Sequence, residues 1–325
     1  MYNMKLIEDT IDSIPNIDEL IDKSYNGTCF AYSWFMKLKN ANKIIKFVND
    51  KNILVGFMPL FLNEDGTNIC QNTMYIPYGG PVFFNVPSTT RRRIKYIRII
   101  ESLLADYLKE KFTDFSFSID EKIIDVMPFI RKDIIPEVRY TYKIDLGNTI
   151  DDIYNGFGHD RKKEIKKAIK GSLEFYLDSE MKYFSPEKCV EWEKKYNFPS
   201  SAKFVEKYIK KSIDVDRGMC FIAKKGDIIY GAVYMAWDSK TAYILYSYFD
   251  SNYDVGAISF LYYNIFKYLK EVKKLAYIDF EGSVYETVEN YNISFGAYQA
   301  RYYNLHYSKN NKNELYSNMY KYYEK

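Results

Sequence analysis

Cysteine is scarce, with four in 325 residues. Cys29, Cys70, Cys189 and Cys220 lie far apart, and no CxxC pair exists. That spacing speaks against a cysteine zinc or redox motif and predicts reduced packing thiols. Histidine is scarcer still: His159 and His306 are the two present, too few to complete a zinc set with these cysteines, so no metal is expected. Long apolar runs are missing too, none reaching the ~20 residues that a membrane-crossing helix needs. The first ten residues, MYNMKLIEDT, lack the basic segment and apolar core of a secretory leader, so a cytoplasmic protein is expected. A net charge of +3 gives no general nucleic-acid footprint, so any anion site must be local.

What remains is a chain rich in apolar and aromatic residues, with the content of a folded protein. Residues 44–48 and 53–62 read as strands joined by a turn at Asn49-Asp50-Lys51-Asn52. The stripe Ile94, Ile97, Ile100, Leu104, Leu108 predicts a helix over 89–111, and 112–119 reads as a strand. Pro77 and Pro81 keep the extended run 74–84 out of a central sheet position. Further along, helices are expected over 154–170, 186–196 and 202–213. A hairpin follows over 219–223 and 228–237, then a strand over 242–249, a helix over 257–272 and a strand over 276–280. Val284, Val288 and Tyr291 are spaced for a short helix, and 298–305 for a last strand.

Four groups of residues could carry chemistry. Asp279 and Glu281 are two apart at the end of a strand, so both carboxylates can reach one face. A partly buried carboxylate with a raised pKa suits the role of a general base. A second role for Glu281 is to cap the following helix. The turn 251–257 ends in Gly256-Ala257 at a helix start, where backbone N–H groups attract phosphate. However, Asp254 precedes them, with no basic residue nearby. Residues 160–168 place Arg161 and Lys162 on a basic helix face, with Ile165, Ala168 and Ile169 toward the core. Finally, Tyr78-Gly79-Gly80, held between prolines, forms a side-chain-poor loop.

Four segments, in order, resemble one family. Asp279-Phe280-Glu281-Gly282-Ser283 followed by a short helix and Phe295-Gly296-Ala297 is similar to the C-terminal half of a GNAT-fold acyltransferase, in the FemAB-like branch related to Fem-type peptidyltransferases. Ser33-Trp34-Phe35, Pro77 through Phe83, and residues 140–170 agree with it. The resemblance implies an α+β fold of two tandem GNAT-like domains, 1–148 and 149–325, the second carrying the donor site. It implies acyl transfer from an acyl-coenzyme A to an amine of an amino sugar or related cell-envelope precursor, a small-molecule or nucleotide-linked glycan. Glu281 and Asp279 would be catalytic, with Tyr248 as a hydroxyl donor. Gly256 and Ala257 would hold the donor. Asn292 stands where GNAT enzymes often carry a thiolate-protonating tyrosine. Arg161 and Lys162 would hold acceptor phosphates, and Trp34, Lys37, Tyr78 and Gly79 would border the acceptor cleft. Two alternatives stand beside this reading: an aminoacyl-tRNA-dependent peptidyltransferase and a non-catalytic ligand-binding relative.

Overall fold

The structure is a computed structural model describing residues 3–310, apart from 64–65, 67–68, 71–75, 196–200, 251–255 and 283–285. Two compact units result: residues 1–139 with 301–325, and residues 140–300. The division by packing therefore falls at Arg139–Tyr140, whereas the sequence suggested 148–149. An eleven-residue strand, Ile135–Asp145, runs unbroken through this point, and Leu146 just beyond it is buried.

In the first unit, β1 (Met4–Thr10), α1 (Ile17–Asp22), α2 (Ser33–Leu38), β2 (Lys43–Asn49), β3 (Leu54–Pro59), β4 (Ile69–Cys70) and β5 (Val82–Phe83) precede the long helix α3 (Thr90–Lys111). Then come β6 (Asp114–Ile119) and α4 (Met127–Ile130). The strands β1-β2-β3-β5 form an antiparallel sheet in that order. The expected turn between β2 and β3 is held by Asn49, whose side-chain oxygen accepts from Lys51 N and Ile53 N at 3.0 Å each. The helical stripe of α3 buries Ile97, Ile100, Leu104 and Leu108 against Phe47, Phe83, Phe115 and Phe117. Gly80 packs so closely on β6 that an added Cβ would lie 2.7 Å from the Ile119 side chain.

The strand β7 (Ile135–Asp145) leads into the second unit. There follow α5 (Ile150–Asn155), α6 (His159–Lys170), β8 (Glu174–Leu177), α7 (Pro186–Lys195) and α8 (Ala202–Asp214). The hairpin strands β9 (Gly218–Lys225) and β10 (Ile228–Trp237) come next, then β11 (Thr241–Phe249), α9 (Ala257–Tyr268), β12 (Tyr277–Asp279) and α10 (Glu286–Ile293). The last strand, β13 (Tyr298–Ser308), pairs through Tyr303–Ser308 with β6 in the first unit. The sheet order in the second unit is β7-β12-β11-β10-β9-β8.

Its pairs are antiparallel except β11 with β12, which run parallel with α9 as the crossover. After β12 ends at Asp279, β11 runs on to Phe249. The parallel strands therefore part there, and in such sheets strand ends of this kind are where ligands bind.

Sequence and structure differ at several places. The helix expected over 154–170 is two helices, because Gly156-Phe157-Gly158 breaks it. Gly158 is extended and donates its N–H to Ser294 O at 2.7 Å, while Phe157 is buried in the core. Ile169, expected in the core, is 57% exposed. The helix expected over 257–272 gives way after Tyr268 to a π-turn over Leu269–Lys273. Val288 lies on the exposed side of α10, and Val284 lies outside the described residues. Strands β1 and β8 carry no clean alternation, whereas β7 alternates from Glu137 to Asp145; none of the three has a counterpart in the sequence reading. No helix among the described residues is long and apolar enough to cross a membrane.

Candidate functional site

The end of β12 is the most unusual place in the second unit. Tyr142, Ile144, Ile278 and Phe280 turn to the helix-covered core. By strand alternation, Thr141, Lys143, Tyr277 and Asp279 face the other way. Asp279, Lys143 and Thr141 are all buried, and Asp279 stands opposite Lys143 in the β7–β12 register. The Thr141 hydroxyl donates to Asp279 Oδ1. The same oxygen accepts the Glu281 N–H at 2.8 Å.

Glu281 has φ +62°, the left-handed region that side chains other than glycine, asparagine and aspartate seldom enter. Its Oε1 is closed to solvent and has no hydrogen-bond partner among the described residues. Burial, then the neighbouring Asp279 charge, pushes its carboxyl well above the usual carboxylate range. A half-buried acid with one oxygen closed off and unmatched among the described residues holds its proton and can exchange it with a partner that arrives.

A second polar cluster lies at the start of α9. Arg161 Nη2 pairs with Glu164 Oε1 at 3.0 Å, the side chains being 16% and 30% exposed. Glu164 Oε2 accepts from the Ser259 hydroxyl in the first turn of α9. The Arg161 guanidinium lies over the Tyr291 ring, 4.7 Å from its centroid. Burial raises the Tyr291 phenol, while Ser259 and Arg161 pull it back down. Gly256, with φ +72°, caps this helix, and an added Cβ would stand 2.6 Å from Glu164 Cβ and 2.7 Å from its carbonyl oxygen. The glycine therefore admits α6 to the start of α9. Loop 251–255, with Asp254, lies outside the described residues.

The other expected residues are dispersed. Lys162 Nζ donates to Asn155 O at 2.8 Å, closing the end of α5. Asn292 and Ala257 are buried. The Tyr248 hydroxyl accepts from Ser185 N at 2.7 Å and its ring meets Phe184; burial raises its phenol, which makes it a reluctant acid.

Four expected acceptor residues belong to the first unit. Trp34 is buried edge-on to Phe35, and Lys37 pairs with Asp12 at 2.6 Å. Tyr78 packs edge-on to Tyr302, and Gly79 N donates to Ser118 O at 3.1 Å. Lys37 also borders an open groove of about 320 Å³ with Asp12, Asp18, Glu19 and Ser33.

The sequence reading passed over Thr141, Glu164 and Ser259. Glu164 had a signal in its i,i+3 spacing from Arg161. Thr141 had none, since it meets Asp279 from 138 residues away. Among the described residues, no cluster of three or more His, Cys, Asp or Glu could hold a metal ion.

No family model matches the chain, and no curated protein matches it. Solved structures do. A crystal structure of FemX aligns over 96% of this chain and 99% of its own, with TM-score 0.65 and 13% identity. A GNAT-family acetyltransferase from Colwellia psychrerythraea aligns over 94% and 98%, with TM-score 0.53 and 10% identity. A tandem GNAT protein from the clavulanic acid biosynthesis pathway aligns over 94% and 99%, with TM-score 0.51 and 10% identity. The chain therefore has the tandem GNAT fold, an α+β architecture that it shares over nearly its whole length with FemX.

Proposed function

We propose that the protein transfers an acyl group from an activated donor to an amine, with Glu281 as the general base. The observation that supports this most is the half-buried Glu281, whose Oε1 is closed to solvent with no partner among the described residues, at the place where β11 and β12 part. An incoming ammonium would supply the missing partner. Glu281 in its ionised form takes the ammonium proton, the free amine attacks the acyl carbonyl, and the leaving group departs from the tetrahedral intermediate. A base whose pKa lies near the working pH does this best, and burial beside Asp279 moves Glu281 in that direction.

An acyl-coenzyme A thioester is the first donor reading, in keeping with the acetyltransferase that shares the fold. Arg161 would then serve a phosphate of a nucleotide-linked acceptor, an amino sugar or envelope precursor. One observation favours the second reading, an aminoacyl ester carried by tRNA. The described start of α9 holds the Glu164 carboxylate, and this anion suits a pyrophosphate poorly. Under either reading, the base and the amine chemistry are the same.

The deciding experiment supplies labelled acetyl-coenzyme A and, separately, charged tRNA, and measures transfer to amino-sugar and envelope-precursor amines. Glu281→Gln is measured in parallel and should lower turnover by about 10²–10⁴-fold at a near-normal melting temperature. Undiminished turnover in that variant would remove Glu281 from the chemistry, and no transfer from either donor would leave the binding-protein reading.

A further inference from the structure

Two carboxylates two residues apart invite the view that either could be the base. Their surroundings differ. Asp279 is buried on the strand, and its Oδ1 accepts from both the Thr141 hydroxyl and the Glu281 backbone. Glu281 keeps an oxygen, Oε1, that is buried and has no partner among the described residues, on a backbone bent into the left-handed region. A non-glycine residue stays there only when its surroundings hold it. The holding contact is visible: the Asp279 carboxylate grips the Glu281 N–H, and Thr141, reaching across from β7, fixes that carboxylate.

We propose that Asp279 and Thr141 are a positioning pair, which locks the reversed backbone of Glu281 and thereby aims its carboxyl, while Asp279 is not itself a base. This rests on the reading of Glu281 as the reacting carboxylate. The ionised Asp279 has a second effect, because a like charge at this distance makes Glu281 hold its proton more tightly. The groups around Asp279 on the neighbouring strands are Lys143 and Thr141 on β7 and Tyr243 on β11. Tyr243 donates to Asp238 at 2.8 Å, and Lys143 lies 5.3 Å from the Tyr277 ring centre.

The test follows the Glu281 carboxyl by carbon-13 NMR titration in wild type, Asp279→Asn and Thr141→Val, and records kcat and KM against pH. Near-ultraviolet circular dichroism checks folding. Asp279→Asn should move the Glu281 midpoint and the kcat inflection down together. It should lower kcat by about 10²-fold, the scale of a slightly misplaced group, with KM little changed. Thr141→Val should lower kcat without moving the midpoint down, and Thr141→Ser should restore it.

A Glu281 midpoint that stays put in Asp279→Asn, or wild-type kcat in both Asp279→Asn and Thr141→Val, overturns the pair. The NMR midpoint needs no turnover. If it moves as expected while Glu281→Gln still turns over normally, the base reading fails and the positioning contact stands.

Discussion

The two polar corners of the second unit solve the same problem in opposite ways. Each places a carboxylate beside the end of a secondary-structure element, in largely buried surroundings. At the start of α9, Glu164 is met by Arg161 on one oxygen and Ser259 on the other, and Tyr291 lies under the guanidinium. At the end of β12, Glu281 has a like charge for its nearest electrostatic neighbour and an oxygen with no described partner. The first arrangement pairs both oxygens of its carboxylate, although Arg161 Nε is buried with no partner among the described residues. The second leaves a proton-binding group unsatisfied, which a fold tolerates at a cost of about 1–3 kcal/mol. For the two carboxylates, reactive potential thus lies at the corner where packing leaves an oxygen without a described partner. Gly256, expected to hold the donor, answers first to the packing of α6 against the start of α9.

The largest expected effect tests the closed corner. Gly256→Ala should destabilise the second unit by about 2–4 kcal/mol, combining a left-handed backbone with a Cβ that collides with Glu164. At about 2–4 °C per kcal/mol for a unit the size of residues 140–300, calorimetry resolves the loss readily. An unchanged melting temperature would mean that α6 does not sit tightly on α9. Arg161→Ala comes next. It should cost about 1–2 kcal/mol by uncovering Glu164 and the face of Tyr291. If instead stability holds while affinity for a nucleotide-linked acceptor falls tenfold or more, Arg161 is a ligand-binding residue and the corner is open after all.

The comparison also explains what the sequence could disclose. Local patterns carried the elements well: the stripe of α3, the Asn49 turn and the β9–β10 hairpin all depend on residues near one another in the chain. Strand β7 alternates polar and apolar residues from Glu137 to Asp145, a local pattern that the sequence reading passed over, while its pairing with β12, far along the chain, leaves no local mark. At the candidate site, the carboxylates of Asp279 and Glu281 were legible as a spaced pair at a strand end. Their different roles were not, because the Thr141 bond, the unpaired oxygen and the reversed backbone of Glu281 arise only when distant segments meet.

The smallest effect bears on the open corner and isolates its strain. Glu281→Ala and Glu281→Gly both delete the carboxylate, so they share the loss of the buried acid and differ only in backbone freedom. At φ +62° an alanine pays the left-handed penalty, and a glycine does not. Glycine does lose more freedom on folding, which offsets part of the gain. The glycine variant should therefore be the more stable by about 0.5–1 kcal/mol.

A pH series adds an independent reading. With its folded pKa raised, Glu281 supports folding fully below the ordinary carboxylate range, and this support is lost as pH rises through the folded value. Both variants should therefore show a flatter decline in melting temperature over that interval than wild type. Alanine matching glycine in stability would show that the backbone at 281 is relaxed, and a pH dependence unchanged from wild type would show that the carboxyl is not held in its protonated form.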